Sequence, residues 1–251
     1  MQFDFNLNPI LFSIGFLEIR YYGLVYALGF LGLYYWLLSN RKSVGLLKRD
    51  VDGLLIYLIL GVLVGARLFN FLFWEYVAFL ADPLVFFKLW LGGMSFHGAF
   101  VGAFVGGYLF SKKKDLDFLK LLDLVTLPVA IGLMFGRVAN FVNGELLGVI
   151  AQDFMCINYS FEQGCRHAYT LYEAVFSGAL GFLMFYVSSL KVLKKGALFW
   201  IFVLVYNGGR FLLEFFRDDA VFLVGLSITQ FLCIAFFILA GVFLLKTYIK
   251  Q

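Results

Sequence analysis

The side chains best suited to chemistry are concentrated at residues 136–148, which read GRVANFVNGELLG. This stretch ends an apolar run, yet it carries Arg137, Asn140, Asn143 and Glu145. Lipid cannot solvate such groups, so placing them in a membrane costs free energy. A function that needs these side chains would explain their presence. A guanidinium beside amide side chains suits a phosphate, because its planar fork matches two phosphate oxygens at once. A helix end capped by asparagines, with an arginine reaching for the membrane surface, explains the same residues without a ligand.

Small residues separate the polar positions in this stretch. Gly136, Ala139, Gly144 and Gly148 leave room for another backbone or a ligand to approach closely. A lipid head group at the membrane surface is the natural occupant of such a place. The stretch by itself leaves both interpretations open.

The elements that must position these residues are membrane-spanning helices. The chain has 251 residues, of which 63% are hydrophobic and 14% charged, whereas soluble domains have roughly 45–50% and about 25%. A helix needs about 20 apolar residues to cross the hydrocarbon. Seven spans can be drawn, at about 17–39, 51–71, 92–110, 118–141, 171–190, 197–216 and 225–246. The predicted fold class is therefore all-α, a polytopic integral membrane protein.

Lysine and arginine between the spans fall mainly on one side of the membrane. Thirteen of them follow the first, third, fifth and seventh spans, whereas the opposite loops hold only Lys88, Arg166 and Arg217. The positive-inside bias places the thirteen in the cytoplasm. The sequence therefore predicts an amino terminus outside and a carboxyl terminus in the cytoplasm.

Charged residues within or beside the spans are predicted to share one layer near the outer surface. They are Arg20, Arg67, Arg137, Arg210, Glu145, Glu173 and Glu214. Scattered arginines that reach for water would not by themselves require a common level. The layer is therefore a candidate binding site for an anion.

The third span combines regularly spaced glycines with a histidine. Gly98, Gly102 and Gly106 recur every four residues, which predicts close packing against a neighbouring helix. His97 precedes Gly98 near the outer end of this span, and its ring is expected to be accessible. An imidazole there serves either proton transfer or a simple structural hydrogen bond, and the sequence leaves both open.

The loop at 149–167 is the longest polar stretch between spans, and we expect it to form a small cap over the charged layer. Cys156 and Cys165 lie in it and can pair if it faces an oxidising compartment. This loop belongs to one membrane-embedded domain over 1–251. The sequence contains no phosphate-binding loop, dinucleotide fingerprint or Cys/His metal spacing. We therefore expect no metal, no cofactor and no nucleic-acid partner.

Six segments spread over most of the chain carry the motifs of a known family. They read RYYGLVY at 20–26, ADPLVFFKLWLGGMSFHG at 81–98, GRVANFVNGELLG at 136–148, HAYTLYE at 167–173, YNGGRFLLEFFRDD at 206–219 and LSITQ at 226–230. The chain resembles the bacterial prolipoprotein diacylglyceryl transferase family. The patterns GRxxNFxNGELxG and GGMSFHG are together highly specific.

The resemblance implies a multi-pass enzyme of the bacterial inner membrane with its active site toward the periplasmic side. Its partners would be membrane lipid, in particular phosphatidylglycerol, and the signal peptide of a prolipoprotein with a lipobox cysteine. The diacylglyceryl group would move to the cysteine thiol, which forms a thioether and releases glycerol phosphate.

Matching the motifs residue by residue gives the site that the resemblance implies. The catalytic residues would be His97, Arg137, Arg210 and Tyr22. The substrate-binding residues would be Arg137, Asn140, Asn143, Glu145, Gly148, Glu173, Tyr206, Glu214 and Arg217. The chain departs from the family at 168–170, where Ala, Tyr and Thr replace the usual Pro, Ser and Gln, and at Ala99, which replaces a glycine.

Other classes of protein compete with this interpretation. Outward arginines would also attract the solute of an anion transporter or channel, which needs a polar pathway through to the cytoplasmic side. The inner halves of the spans offer little for such a pathway beyond Asp123. A non-catalytic lipid-binding protein is a third interpretation.

Overall fold

The computed structural model of the protein describes residues 2–15, 17–73, 75–88, 93–151, 156–190, 193–218 and 221–249. Most of these residues are helical. The helices are α1 (Tyr21–Asn40), α2 (Lys48–Phe73), α3 (Tyr76–Ala81), α4 (Phe96–Lys113), α5 (Phe118–Val142), α6 (Tyr169–Ser189), α7 (Ala197–Leu213) and α8 (Ile228–Ile249). Short 3-10 turns at Arg41–Val44, Pro83–Phe87 and Glu214–Phe216 follow α1, α3 and α7. The predicted predominance of helix is confirmed.

Six helices in the described part of the chain are long and apolar enough to cross a membrane. They are α1, α2, α5, α6, α7 and α8. These helices agree with a polytopic membrane protein and match six of the predicted spans. The span predicted at 92–110 corresponds to α4, which has 18 residues and begins at Phe96, and which is not among the six. The count of seven spans and their orientation stay predictions.

Short strands were not predicted, and they form three small sheets in the described residues. In the first, β1 (Gln2–Asp4) runs parallel to β4 (Cys156–Asn158), which is antiparallel to β5 (Cys165–His167). The others are the hairpins of β2 (Ile10–Ile14) with β3 (Leu17–Arg20) and of β6 (Val221–Leu223) with β7 (Leu226–Ser227). The first span was predicted to begin at about 17, and the chain becomes helical four residues later, at Tyr21.

The loop predicted to form a cap is built around the first sheet. Cys156 and Cys165 are joined by a disulfide between its two neighbouring strands. Phe5, which follows β1, packs its ring against Tyr159 at 4.9 Å and against Phe141 of α5 at 5.8 Å between centroids. The amino-terminal strand thus fastens the cap to the end of α5. Residues 152–155 of this loop lie outside the described residues.

The chain divides into two compact units, Tyr34–Leu124 and the combination of Met1–Leu33 with Val125–Gln251. In the unit of 34–124, α2 and α4 pack through glycines. A Cβ added at Gly61, Gly98 or Gly102 would collide with the backbone of the facing helix. The predicted packing role of the regularly spaced glycines is therefore confirmed. The prediction of a single domain over 1–251 stays a prediction.

The other unit contains α6, α7 and α8, and glycine again sets the helix spacing. A Cβ added at Gly209 of α7 would collide with the ring of Phe176 on α6. A Cβ at the preceding Gly208 would lie 3.3 Å from the ring of Phe237 on α8. These small residues let α7 approach both neighbours directly before Arg210, so the arginine enters a tightly packed region.

Candidate active site

A buried carboxylate on α6 joins two arginines from two other helices. Glu173 is 2% exposed. Its Oε2 lies 3.3 Å from Nε of Arg137 on α5, and its Oε1 lies 3.3 Å from Nη1 of Arg210 on α7. Burying a guanidinium is expensive unless an opposite charge accompanies it. Glu173 therefore holds both arginines in one place.

A second buried carboxylate, that of Glu214, extends the cluster beyond the end of α7. Glu214 is 3% exposed, and its Oε2 lies 2.5 Å from Nη1 of Arg210. Its Oε1 lies 3.4 Å from Nη1 of Arg217. Tyr169 donates to Oε2 at 3.2 Å and Ser227 donates to Oε1 at 3.3 Å. Both oxygens of Glu214 are thus held by a cation and a hydroxyl.

The polar side chains of the 136–148 stretch form a hydrogen-bonded chain that begins at Arg137. Nη1 of Arg137 donates to Oδ1 of Asn140, one helical turn later, at 3.4 Å. Nδ2 of Asn140 donates to Glu145 at 2.9 Å, and Nδ2 of Asn143 donates to the other oxygen of Glu145 at 3.0 Å. The asparagines therefore orient the side chains of Arg137 and Glu145.

Two tyrosines complete the surroundings of Arg137. Tyr206 of α7 forms a side-chain hydrogen bond with Arg137. The hydroxyl of Tyr22 on α1 lies 3.0 Å from the hydroxyl of Tyr26 and interacts electrostatically with Arg137 and Glu145. Tyr22 is therefore part of the cluster, at the side of the 136–148 stretch.

Gly148 ends the stretch where two backbone segments meet. It pairs with Arg217 in an isolated antiparallel bridge, and its carbonyl accepts from Nη1 of Arg166 at 3.2 Å. A Cβ on Gly148 would collide with the backbone carbonyl of His167. The close approach expected for the small residues of this stretch is thus an approach of protein backbone at Gly148.

Arg166 links the cap to the turn after α7. It is 8% exposed, and its guanidinium contacts Asp218 at 2.5 Å and Glu162 at 3.0 Å. Because Asp218 directly follows Arg217, this contact fixes the segment that carries Arg217. The disulfide-bonded Cys165 directly precedes Arg166 and holds the strand in place.

The charges of this cluster balance. Its cations are Arg137, Arg210 and Arg217, and its carboxylates are Glu145, Glu173 and Glu214. A guanidinium has five N–H donors, so an arginine held by a carboxylate on one edge can bind a phosphate with another. The arrangement thus presents preoriented cations in a place from which most water is excluded.

Comparison with known proteins shows to which family the chain belongs. A sequence profile of the family described as prolipoprotein diacylglyceryl transferase matches residues 9–246. The chain belongs to this family. Its match includes every residue of the charged cluster.

Curated prolipoprotein diacylglyceryl transferases from several bacteria are similar over nearly the whole chain. The phosphatidylglycerol-prolipoprotein diacylglyceryl transferase of Geobacter sulfurreducens is 37% identical over 87% of this chain and 85% of its own. That of Pseudoalteromonas atlantica is 37% identical over 98% of this chain and 91% of its own. That of Methylobacillus flagellatus is 35% identical over 100% of this chain and 98% of its own. These names do not favour the transporter or channel interpretation.

Two other arginines of the predicted charged layer form contacts of their own. Arg20 belongs to strand β3, directly before α1, where it forms an exposed pair with Glu18 at 2.8 Å, and its predicted place in the layer stays a prediction. Arg67 lies in the unit of 34–124 and is 1% exposed. It donates to the backbone carbonyls of Phe86 at 3.0 Å and Lys88 at 3.1 Å, which gives it a structural role in holding the segment before α4.

His97 lies in the first turn of α4. Its side chain lies outside the described part of the structure, so its predicted catalytic role stays a prediction. Ser95 begins this helix as its cap, with its hydroxyl 3.4 Å from the backbone N–H of Gly98.

Sequence reasoning missed Tyr169 and Ser227, the two hydroxyls on Glu214. Both lie in segments that resemble the family, at 167–173 and 226–230. Tyr169 stands one helical turn before Glu173, which is the signal that both face the same neighbours. Ser227 offered no comparable signal, because it belongs to a short strand whose pairing is not evident from the sequence.

Proposed function

We propose that this chain transfers the diacylglyceryl group of phosphatidylglycerol to the thiol of a lipobox cysteine in a prolipoprotein signal peptide. The observation that carries the proposal is the pair Arg137 and Arg210, which share Glu173 in a member of this transferase family. The pair offers two fixed cations for one phosphate. The products are a thioether on the precursor and glycerol phosphate.

The reaction exchanges one bond for another at a single carbon. The cysteine sulfur attacks the glycerol carbon that bears the phosphate ester, so a carbon–sulfur bond forms as the carbon–oxygen bond breaks. The electron pair of the broken bond leaves with the phosphate. The thiol gives its proton to a base, and the released phosphate monoester carries the new negative charge.

Arg137 and Arg210 stabilise the departing phosphate. Negative charge grows on its oxygens as the carbon–oxygen bond breaks, and fixed cations that already face those oxygens lower the energy of the transition state. In a dry site such charges contribute several kcal/mol, whereas in water they contribute about 1 kcal/mol. The buried carboxylates fix the directions of the guanidinium groups before the lipid binds.

His97 is the proposed general base. A free thiol has a pKa of about 8.5, so near neutral pH a base must favour the thiolate. An imidazole has the right proton affinity for this task. Tyr22, which interacts electrostatically with Arg137 and Glu145, is proposed to orient the reacting groups.

The remaining predicted residues shape the phosphate site. Glu173, Glu214 and Arg217 position Arg210, whereas Asn140, Asn143 and Glu145 position Arg137. Tyr206 binds Arg137 directly, and Gly148 admits the backbone of His167. These residues are therefore proposed to bind substrate through the geometry they impose on the two arginines.

The charged cluster is proposed to face the periplasm, with seven spans, the amino terminus outside and the carboxyl terminus in the cytoplasm. The disulfide supports this orientation, because disulfides persist in the bacterial periplasm and are rare in the cytosol. Arg166 follows Cys165 and contacts Gly148, so the disulfide and the cluster lie on the same side. The inner membrane is the corresponding location.

A reconstituted assay tests the proposed function. The purified protein is placed in phosphatidylglycerol vesicles with a lipobox peptide, and thioether product is measured by mass spectrometry. We expect product with this peptide and none with a peptide whose cysteine is replaced by serine, nor with phosphatidylethanolamine as the only lipid. Absence of thioether with the cysteine peptide and phosphatidylglycerol would overturn the proposal.

A further inference from the structure

Tyr169 contacts both members of the Arg210 and Glu214 pair. Its hydroxyl donates to Oε2 of Glu214 at 3.2 Å, the same oxygen that lies 2.5 Å from Arg210. The guanidinium carbon of Arg210 lies 5.5 Å from the centre of the Tyr169 ring. One side chain therefore touches the carboxylate with its polar end and the cation with its face.

The position of Tyr169 on α6 places it beside a second partner of Arg210. Tyr169 and Glu173 are one helical turn apart and so lie on the same face of α6. Glu173 contacts Nη1 of Arg210 at 3.3 Å, while the ring of Tyr169 lies against the guanidinium. The first turn of α6 thus holds Arg210 from two directions.

Burial gives these contacts their importance. Tyr169 is 1% exposed, so its hydroxyl cannot form a hydrogen bond with bulk water instead of with Glu214. A buried carboxylate that loses a donor keeps the cost of its desolvation, and fewer contacts then fix its orientation. A change in the orientation of Glu214 would shift Arg210 with it, because the two side chains form an ion pair at 2.5 Å.

We infer that Tyr169 is a positioning residue for the transfer reaction, which fixes Glu214 through its hydroxyl and supports Arg210 with its ring. This inference rests on the proposed function. It adds a residue at a place where the chain departs from the motif of the family it resembles. Tyr169 itself does not touch the substrate, and it acts through the direction in which Arg210 faces the phosphate.

The test separates the hydroxyl from the ring. Tyr169→Phe removes only the hydroxyl, and we expect kcat to fall about tenfold while KM for phosphatidylglycerol stays within about twofold. The effect falls on kcat because the arginine acts on charge that develops in the transition state. Tyr169→Leu removes the ring as well, and we expect a larger loss of kcat.

Tyr159→Phe is the matched control. Tyr159 is also buried, at 5% exposed, but it packs against Phe5 and Phe161 in the cap. We expect its kcat and KM to remain within about twofold of the wild-type values.

The outcomes distinguish the inference from the proposed function. A lower kcat in Tyr169→Phe alone, with an unchanged thermal midpoint, supports the positioning role. Wild-type kinetics in Tyr169→Phe, an equal loss in Tyr159→Phe, or a change in KM alone would overturn it. A wild-type protein that forms no thioether would instead overturn the proposed function, and the inference with it.

Discussion

Arg137 and Arg210 lie on different helices and share one buried carboxylate. Each guanidinium has a nitrogen 3.3 Å from a different oxygen of Glu173. The two arginines are therefore fixed relative to each other. Such an arrangement is required if both are to hold a single phosphate. This relationship is the geometric basis of the proposed transfer reaction.

Glu173→Gln should damage both stability and activity. Glutamine keeps the shape of the side chain but removes its charge, which leaves two buried arginines with less compensation. Breaking a buried ion pair costs about 3–5 kcal/mol, so we expect a lower thermal midpoint and at least about a hundredfold loss of kcat/KM. Thermal unfolding in detergent and the thioether assay measure the two effects.

The matched control is Glu162→Gln, because Glu162 also contacts an arginine but its side chain is 40% exposed. Removing an exposed pair changes stability by at most about 1 kcal/mol. Equal effects of the two substitutions would contradict the role of burial at Glu173.

Gly148→Ala should disrupt the end of the 136–148 stretch. The added methyl group would collide with the backbone carbonyl of His167, which cannot move like the end of a side chain. We expect a destabilisation of about 1–3 kcal/mol and a loss of most activity. Gly132→Ala, earlier in α5, is the control, since nothing lies within 4 Å of its added Cβ. Retention of full activity by Gly148→Ala would show that this close approach is not needed.

Arg166→Ala should release the turn that carries Arg217. Arg166 is 8% exposed and contacts Asp218, Glu162 and the carbonyl of Gly148. We expect a loss of about 2 kcal/mol in unfolding free energy, mainly because the carbonyl of Gly148 loses its donor, measured by thermal unfolding with the disulfide intact. Arg20→Ala, which removes an exposed pair with Glu18, should cost less than about 1 kcal/mol. An equally small effect at Arg166 would argue against its link between the cap and the turn.

His97→Asn tests the proposed general base. Asparagine can replace a hydrogen bond but cannot accept a proton in this range, so we expect activity to fall strongly at pH 6 to 7. The loss should shrink toward pH 9, where more of the thiol is ionised without a base. Initial rates of thioether formation between pH 6 and pH 9 test this expectation. Near wild-type activity throughout would remove His97 from the role of base.

Much of the charged cluster could be predicted from the sequence. Arg137, Arg210, Glu173 and Glu214 interrupt or end apolar runs, and a charge in such a run is costly enough to point to a site. The same reasoning did not distinguish Arg67, which donates to backbone carbonyls, from the arginines that contact carboxylates. A buried arginine with carbonyl partners and one with carboxylate partners have the same signature in the sequence.

Other features depend on packing that the sequence does not express. The residues of β3 directly precede an apolar run and were therefore joined to the first span, because four residues are too few to reveal a strand period. Tyr169 and Ser227 are ordinary residues for their segments, and only the approach of α6, α7 and the β7 strand brings their hydroxyls to Glu214. The pairing of Cys156 with Cys165, which the sequence alone makes conditional on an oxidising compartment, joins the adjacent strands β4 and β5.

The central claim is that Arg137 and Arg210 together hold the phosphate that leaves. The most direct measurement is the rate of thioether formation by purified Arg137→Ala and Arg210→Ala in phosphatidylglycerol vesicles, with Arg20→Ala as the control. We predict that both variants insert and fold but lose at least about a hundredfold in rate, while Arg20→Ala stays within about twofold of the wild type. Wild-type turnover by either folded variant would contradict the claim.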